Sequence, residues 1–79
     1  MNYCEMILVD VADNHNKVYI MEQISEDQFR ASWGRYGAAL STKLYSMNVW
    51  DKIQSQKLGK GYADITKMKT VITQSVGVY

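Results

Sequence analysis

The chain has 79 residues, enough for one small domain and too few for a second core. Hydrophobic residues make up 47% and charged residues 22%, which excludes wholesale disorder, and the apolar runs Met6–Val9 and Val18–Met21 fall far short of the roughly twenty residues of a bilayer span. The net charge is only +1, but six carboxylates face one lysine from Met1 to Asp27 and six lysines face two carboxylates from Lys43 to Tyr79, a division that permits a basic face for an anionic partner.

Tyr3–Val11 is rich in apolar and β-branched residues and reads as a strand. It stops at Ala12-Asp13-Asn14-His15-Asn16, where Asp and Asn side chains favour a turn by bonding nearby backbone. Val18–Ile24 reads as a second strand, closed by Ser25-Glu26-Asp27. In a third, Gln28–Tyr36, period-2 alternation puts Phe29, Ala31, Trp33 and Arg35 on one face and Arg30, Ser32, Gly34 and Tyr36 on the other. Gly37-Ala38-Ala39 interrupts, and Ser41–Met47 resumes as a fourth. Short polar loops between these strands imply an antiparallel meander.

At Asn48 the period changes. Asn48 reads as an N-cap with Asp51 in the first turn, and Trp50, Ile53 and Leu58 read as one apolar face of a helix over Val49–Leu58. Gly59 and Gly61 end it. The expected architecture is α+β: a small antiparallel sheet of four or more strands with one α-helix packed on it. Residues 1–66 form the domain, and 67–79 form a C-terminal extension in which Thr70–Tyr79 alternates like a further strand.

Enzyme templates find little here. Gly59-Lys60-Gly61 lacks the first glycine and the Ser/Thr of a phosphate-binding loop. His15 stands alone in a polar turn, and no metal-ligand spacing occurs, so no metal or cofactor is implied. Cys4 lies in a strand, where a small buried hydrophobe is the default reading. With one cysteine there is no intrachain disulfide, and the opening residues lack the basic start and apolar core of a signal peptide. The expectation is a non-enzymatic protein of a reducing, cytoplasmic compartment, with no membrane partner and no evident small-molecule substrate.

One stretch carries chemistry: Ser32-Trp33-Gly34-Arg35-Tyr36-Gly37. Strand spacing sets the indole of Trp33 and the guanidinium of Arg35 two residues apart on one face, a stacking surface beside a phosphate-binding fork. The competing reading is that Trp33 fills the core and Arg35 covers it.

The same residues resemble a WGR domain, named for the tripeptide that stands here as Trp33-Gly34-Arg35. Asn16-Lys17-Val18-Tyr19 is similar to that family's Asn-Lys-aromatic-Tyr strand, Arg30–Gly37 to its signature hairpin strand, and Lys57-Leu58-Gly59-Lys60-Gly61-Tyr62 to the Lys-x-x-Lys-Gly-Tyr end of its helix. The three blocks fall in order and cover Asn16–Thr66. The resemblance implies an antiparallel sheet with one helix and a role in binding DNA ends or nicks. By resemblance, Trp33 stacks at the terminus, Arg35 contacts phosphate or a partner domain, and Asn16 and Lys57 fall near the nucleic acid. Lys60 and Lys52 add charge attraction, whereas Lys17 and Lys43 fall outside the group. In poly(ADP-ribose) polymerases the domain sits beside zinc fingers and a transferase, for which 79 residues leave no room. The alternative expectation is a protein-interaction module using the same Trp33/Arg35 face.

Overall fold

The computed structural model describes residues 1–12 and 15–67. The turn at Asp13-Asn14, the side chain of His15 and the strand reading of Thr70–Tyr79 lie outside the described residues. Four antiparallel strands follow one another: β1 (Tyr3–Asp10), β2 (His15–Gln23), β3 (Gln28–Arg35) and β4 (Ser41–Ser46). A short 3-10 turn at Met47–Val49 leads into helix α1 (Trp50–Gly59), and β5 (Ala63–Asp64) closes the sheet in the order β4-β3-β2-β1-β5. The fold is α+β, a five-stranded antiparallel sheet with one α-helix, as the pattern predicts.

Register follows from the tight loops. In the β2–β3 loop the Ser25 hydroxyl donates to the Asp27 carboxylate (2.9 Å) and the Ile24 N–H to the Gln28 carbonyl (3.1 Å). Tyr19 thereby pairs with Trp33, Met21 with Ala31, and Lys17 with Arg35. Period 2 then sends Cys4, Met6, Tyr19, Met21, Phe29 and Ala31 into one buried cluster, which Trp50 caps from the helix. Phe29 meets Trp50 edge-to-face at 5.0 Å between ring centres and stacks on Tyr45 at 5.5 Å. These rings supply the largest apolar area in so small a core.

The helix start differs from the expectation. Asn48 is not the cap: α1 starts after Val49, which makes no side-chain capping bond, and Ser46 caps the preceding 3-10 turn, its hydroxyl accepting from the Asn48 N–H (3.2 Å) while the Trp50 N–H donates to the Met47 carbonyl. Leu58 is also displaced from its expected place, being 44% exposed. At 3.6 residues per turn it lies about 140° round the helix from Ile53, whereas Lys57 lies close to the Trp50–Ile53 line. The residue on the sheet-facing stripe is therefore Lys57.

β5 was not anticipated, because two residues carry no readable period. It pairs with β1 at Met6 and Ile7. Beyond it the Ile65 N–H donates to the Glu5 carbonyl (2.9 Å), and the Glu5 N–H donates to the Thr66 hydroxyl (2.8 Å). Cys4 is buried as expected, and burial pushes its thiol pKa up. Its sulfur accepts from the Gln54 amide at 3.3 Å. Among the described residues, no helix is long and apolar enough to cross a membrane.

Candidate functional site

The helix covers only part of the sheet. Beyond the Met21–Phe29–Trp50 core, toward the far end of β2 and β3, lies an open cleft of about 590 Å³. It is lined by Asp10, Lys17, Tyr19, Trp33, Gly34, Arg35, Lys57 and Tyr62. Each arrives from a different constraint. Tyr19 and Trp33 are cross-strand partners on one face, and their rings stack at 6.0 Å with 19° between planes. Two residues further along each strand, Lys17 and Arg35 oppose one another and bring two cations to the rim. Asp10, at the end of β1, adds one carboxylate there.

Gly34 lets the signature strand take this shape. Its φ of +152° disfavours any side chain, and a Cβ there would stand 3.1 Å from the Leu40 side chain. The chain thus turns back closely behind Trp33 and Arg35, with the Ala38 N–H bonded to the Arg35 carbonyl (3.1 Å). Gly61 does the same at the helix exit: its φ is +108°, and a Cβ would meet Leu8 at 3.3 Å. That exit swings Tyr62 over Tyr19, edge-on at 6.5 Å.

Lys57 is the fourth wall. Its ammonium lies 4.6 Å from the centre of the Tyr19 ring and 5.8 Å from that of Tyr62. Cation–π attraction holds it over these rings. Burial lowers its pKa from the ordinary lysine value, and the neighbouring charge of Lys60 lowers it further. Burial also pushes the Tyr19 phenol up to about 12, with the Tyr45 hydroxyl adding to the effect. The site therefore holds a cation already stripped of part of its water on an aromatic shelf, with two further cations at the rim. An anionic group placed there meets a cation whose burial has already removed part of its hydration, which reduces the further desolvation cost.

The structure brings together three of the six residues singled out from the sequence, Trp33, Arg35 and Lys57, while Asn16, Lys52 and Lys60 do not line the cleft. Trp33 is half-buried, so it both packs against the core and lines the cleft. Asn16 does not line the cleft; strand alternation sets it on the face opposite Lys17, and its carbonyl accepts from the Tyr36 N–H (2.8 Å). Lys60 is the exposed C-cap of α1 and stays outside the lining. Lys17, expected outside, lies within it. Sequence reasoning missed Tyr19 and Asp10 as site residues. Their signal was cross-strand pairing, readable only once the β2–β3 and β1–β2 registers are known. Among the described residues, no cluster of three or more His, Cys, Asp or Glu side chains could hold a metal ion.

No protein-family model matches this chain, and no solved structure matches it. It is similar to a protein of Invertebrate iridescent virus 6 described as "Uncharacterized protein 101L", with 33% identity over 73 residues. The match covers 92% of this chain and 31% of the viral protein, so the chain spans about a third of that relative's length.

Proposed function

We propose that this chain is a WGR-type, non-catalytic module that binds DNA at ends or nicks. The observation that carries the reading is the cleft itself: a stacked Trp33–Tyr19 shelf with Lys17, Arg35 and Lys57 around it. An indole with a free face suits a terminal base or sugar, which an uninterrupted duplex keeps within its stack. Three cations suit the phosphates beside it, and Arg35 adds a planar fork that grips two oxygens at once.

The test is fluorescence anisotropy with blunt, nicked and uninterrupted circular DNA. Three neutralised phosphates give a slope of log affinity against log salt of about −2.7. Raising salt from about 50 to 200 mM should then weaken binding roughly 40-fold. Equal affinity for circular and broken DNA would refute end binding.

A second reading is a protein-interaction module using the same Trp33/Arg35 face. It draws on the viral relative, where the matching segment accompanies more than twice its own length of further chain. If no DNA binds at low salt, this reading replaces the first.

A further inference from the structure

The cleft does not end at Trp33. A recess lined by Tyr19, Trp33, Tyr45 and Lys57 adjoins it, and beside that recess is a groove of about 340 Å³ between α1 and β4. Tyr19 and Lys57 line the cleft, the recess and the groove alike, so the three lie side by side around these two residues. The groove's walls are Tyr45, Val49 and Ile53, with Lys52 and Gln56 along the helix side. Lys43, on the edge strand, sets its ammonium 5.2 Å from the centre of the Tyr45 ring. Among the described residues, no carboxylate lines the groove, whereas Asp10 lines the cleft.

We propose that this groove receives a short single-stranded extension running on from the DNA end held in the cleft, so that the preferred substrate is a duplex with an overhang. The inference rests on the end-binding reading and narrows its substrate class. Two features of the groove favour an unpaired strand over more duplex. Aromatic and aliphatic walls serve a base only when its face is free, and paired bases hide their faces in the stack. Lysines at a groove whose described lining holds no carboxylate suit the backbone that joins such bases: Lys52 lines it from the helix, and Lys43 lies over its Tyr45 wall from the edge strand. Charge complementarity and adjacency to the cleft thus point to the same occupant.

The experiment compares a labelled blunt hairpin with the same hairpin carrying an extension of about four nucleotides at its 3′ or its 5′ terminus. Stacking of one base and contact with one or two phosphates should tighten binding of one polarity about tenfold at low salt. It should also steepen that ligand's salt slope by about 0.7 to 1.4. Lys43 and Lys52 are exposed, so the double variant Lys43→Gln/Lys52→Gln should fold and melt like the parent. It should bind the overhang and blunt hairpins equally, erasing the overhang gain. A blunt hairpin that binds as tightly as both overhang forms overturns the groove assignment and leaves end binding standing. A gain that survives the double variant also overturns it, because the extension then lies elsewhere. Failure of every DNA to bind overturns both readings together.

Discussion

The two ends of the β2–β3 ladder share the same pairing and alternation, yet they meet different fates. At one end Met21, Ala31 and Phe29 are buried completely, and Trp50 of the helix closes over them. At the other, Tyr19 and Trp33 continue the same face, but the helix has reached its last turn and presents Lys57 instead of an apolar residue. Covered by an indole, the face becomes a core. Covered by an ammonium and rimmed by Lys17 and Arg35, it becomes a cleft in which charge and the half-exposed Trp33 ring meet water above a buried Tyr19. Where a short helix ends on a sheet decides which half of a face stabilises the fold and which half is left to bind something.

The largest effect should come from exchanging the two tryptophans' roles. Trp50→Ala removes the cap of the core and should cost about 3–5 kcal/mol, enough to unfold much of a domain this small. Trp33→Ala removes a half-buried ring and should cost less stability while losing more DNA affinity. Thermal melts and anisotropy on both variants check this, and equal stability losses would erase the distinction between the two ends.

Arg35→Gln sharpens it next. The fold should persist while affinity for a DNA end falls about ten- to a hundredfold, as expected for a lost charge-assisted contact. Lys17→Gln should lose less, reducing the salt slope by about 0.9. Unfolding of Arg35→Gln would make the arginine structural.

Lys57 gives a pH signature. In the proposed mode of DNA binding its ammonium is required, and burial has lowered its pKa from the lysine value of 10.5. Affinity should therefore fall with rising pH before ordinary lysines titrate, and Lys57→Arg should move that fall to higher pH. The Tyr19 phenol adds a separate alkaline effect on stability. Its pKa is raised from 10.0 to about 12, so its contribution is complete below about pH 10 and is lost as pH rises through about 12. Parallel melts separate loss of binding from loss of fold.

The smallest effects belong to Asn16→Ala and Lys60→Gln. Both residues stand outside the cleft lining, and each should change affinity less than about twofold, as expected for charges and amides screened by solvent. A tenfold loss at either would extend the site beyond the cleft.

Much of the fold was legible in the sequence because its two periods are clean. Apolar and β-branched runs closed by polar turns marked the four long strands to within a few residues, alternation set the faces of the third, and the switch at Asn48 marked the helix. The Leu58 misplacement came from counting a helical stripe by spacing without its angle, which hid Lys57 on the buried side. β5 was too short to show a period. The site was legible where chemistry was concentrated on one strand, at Trp33 and Arg35. It was not legible where it depends on partners across strands: Lys17 and Tyr19 reach the cleft through the β2–β3 register and Asp10 through the end of β1. No single segment carries that information.

The central claim is that the uncovered end of the sheet binds DNA while the covered end only folds. The two indole N–H groups of this chain report on those ends separately, in one NMR titration of labelled protein with a blunt duplex at low salt. The account predicts that the Trp33 indole signal and the backbone signals of Arg35 and Lys57 shift together while the Trp50 indole stays in place. A Trp33 signal that does not move, or one that moves no more than Trp50, would contradict it.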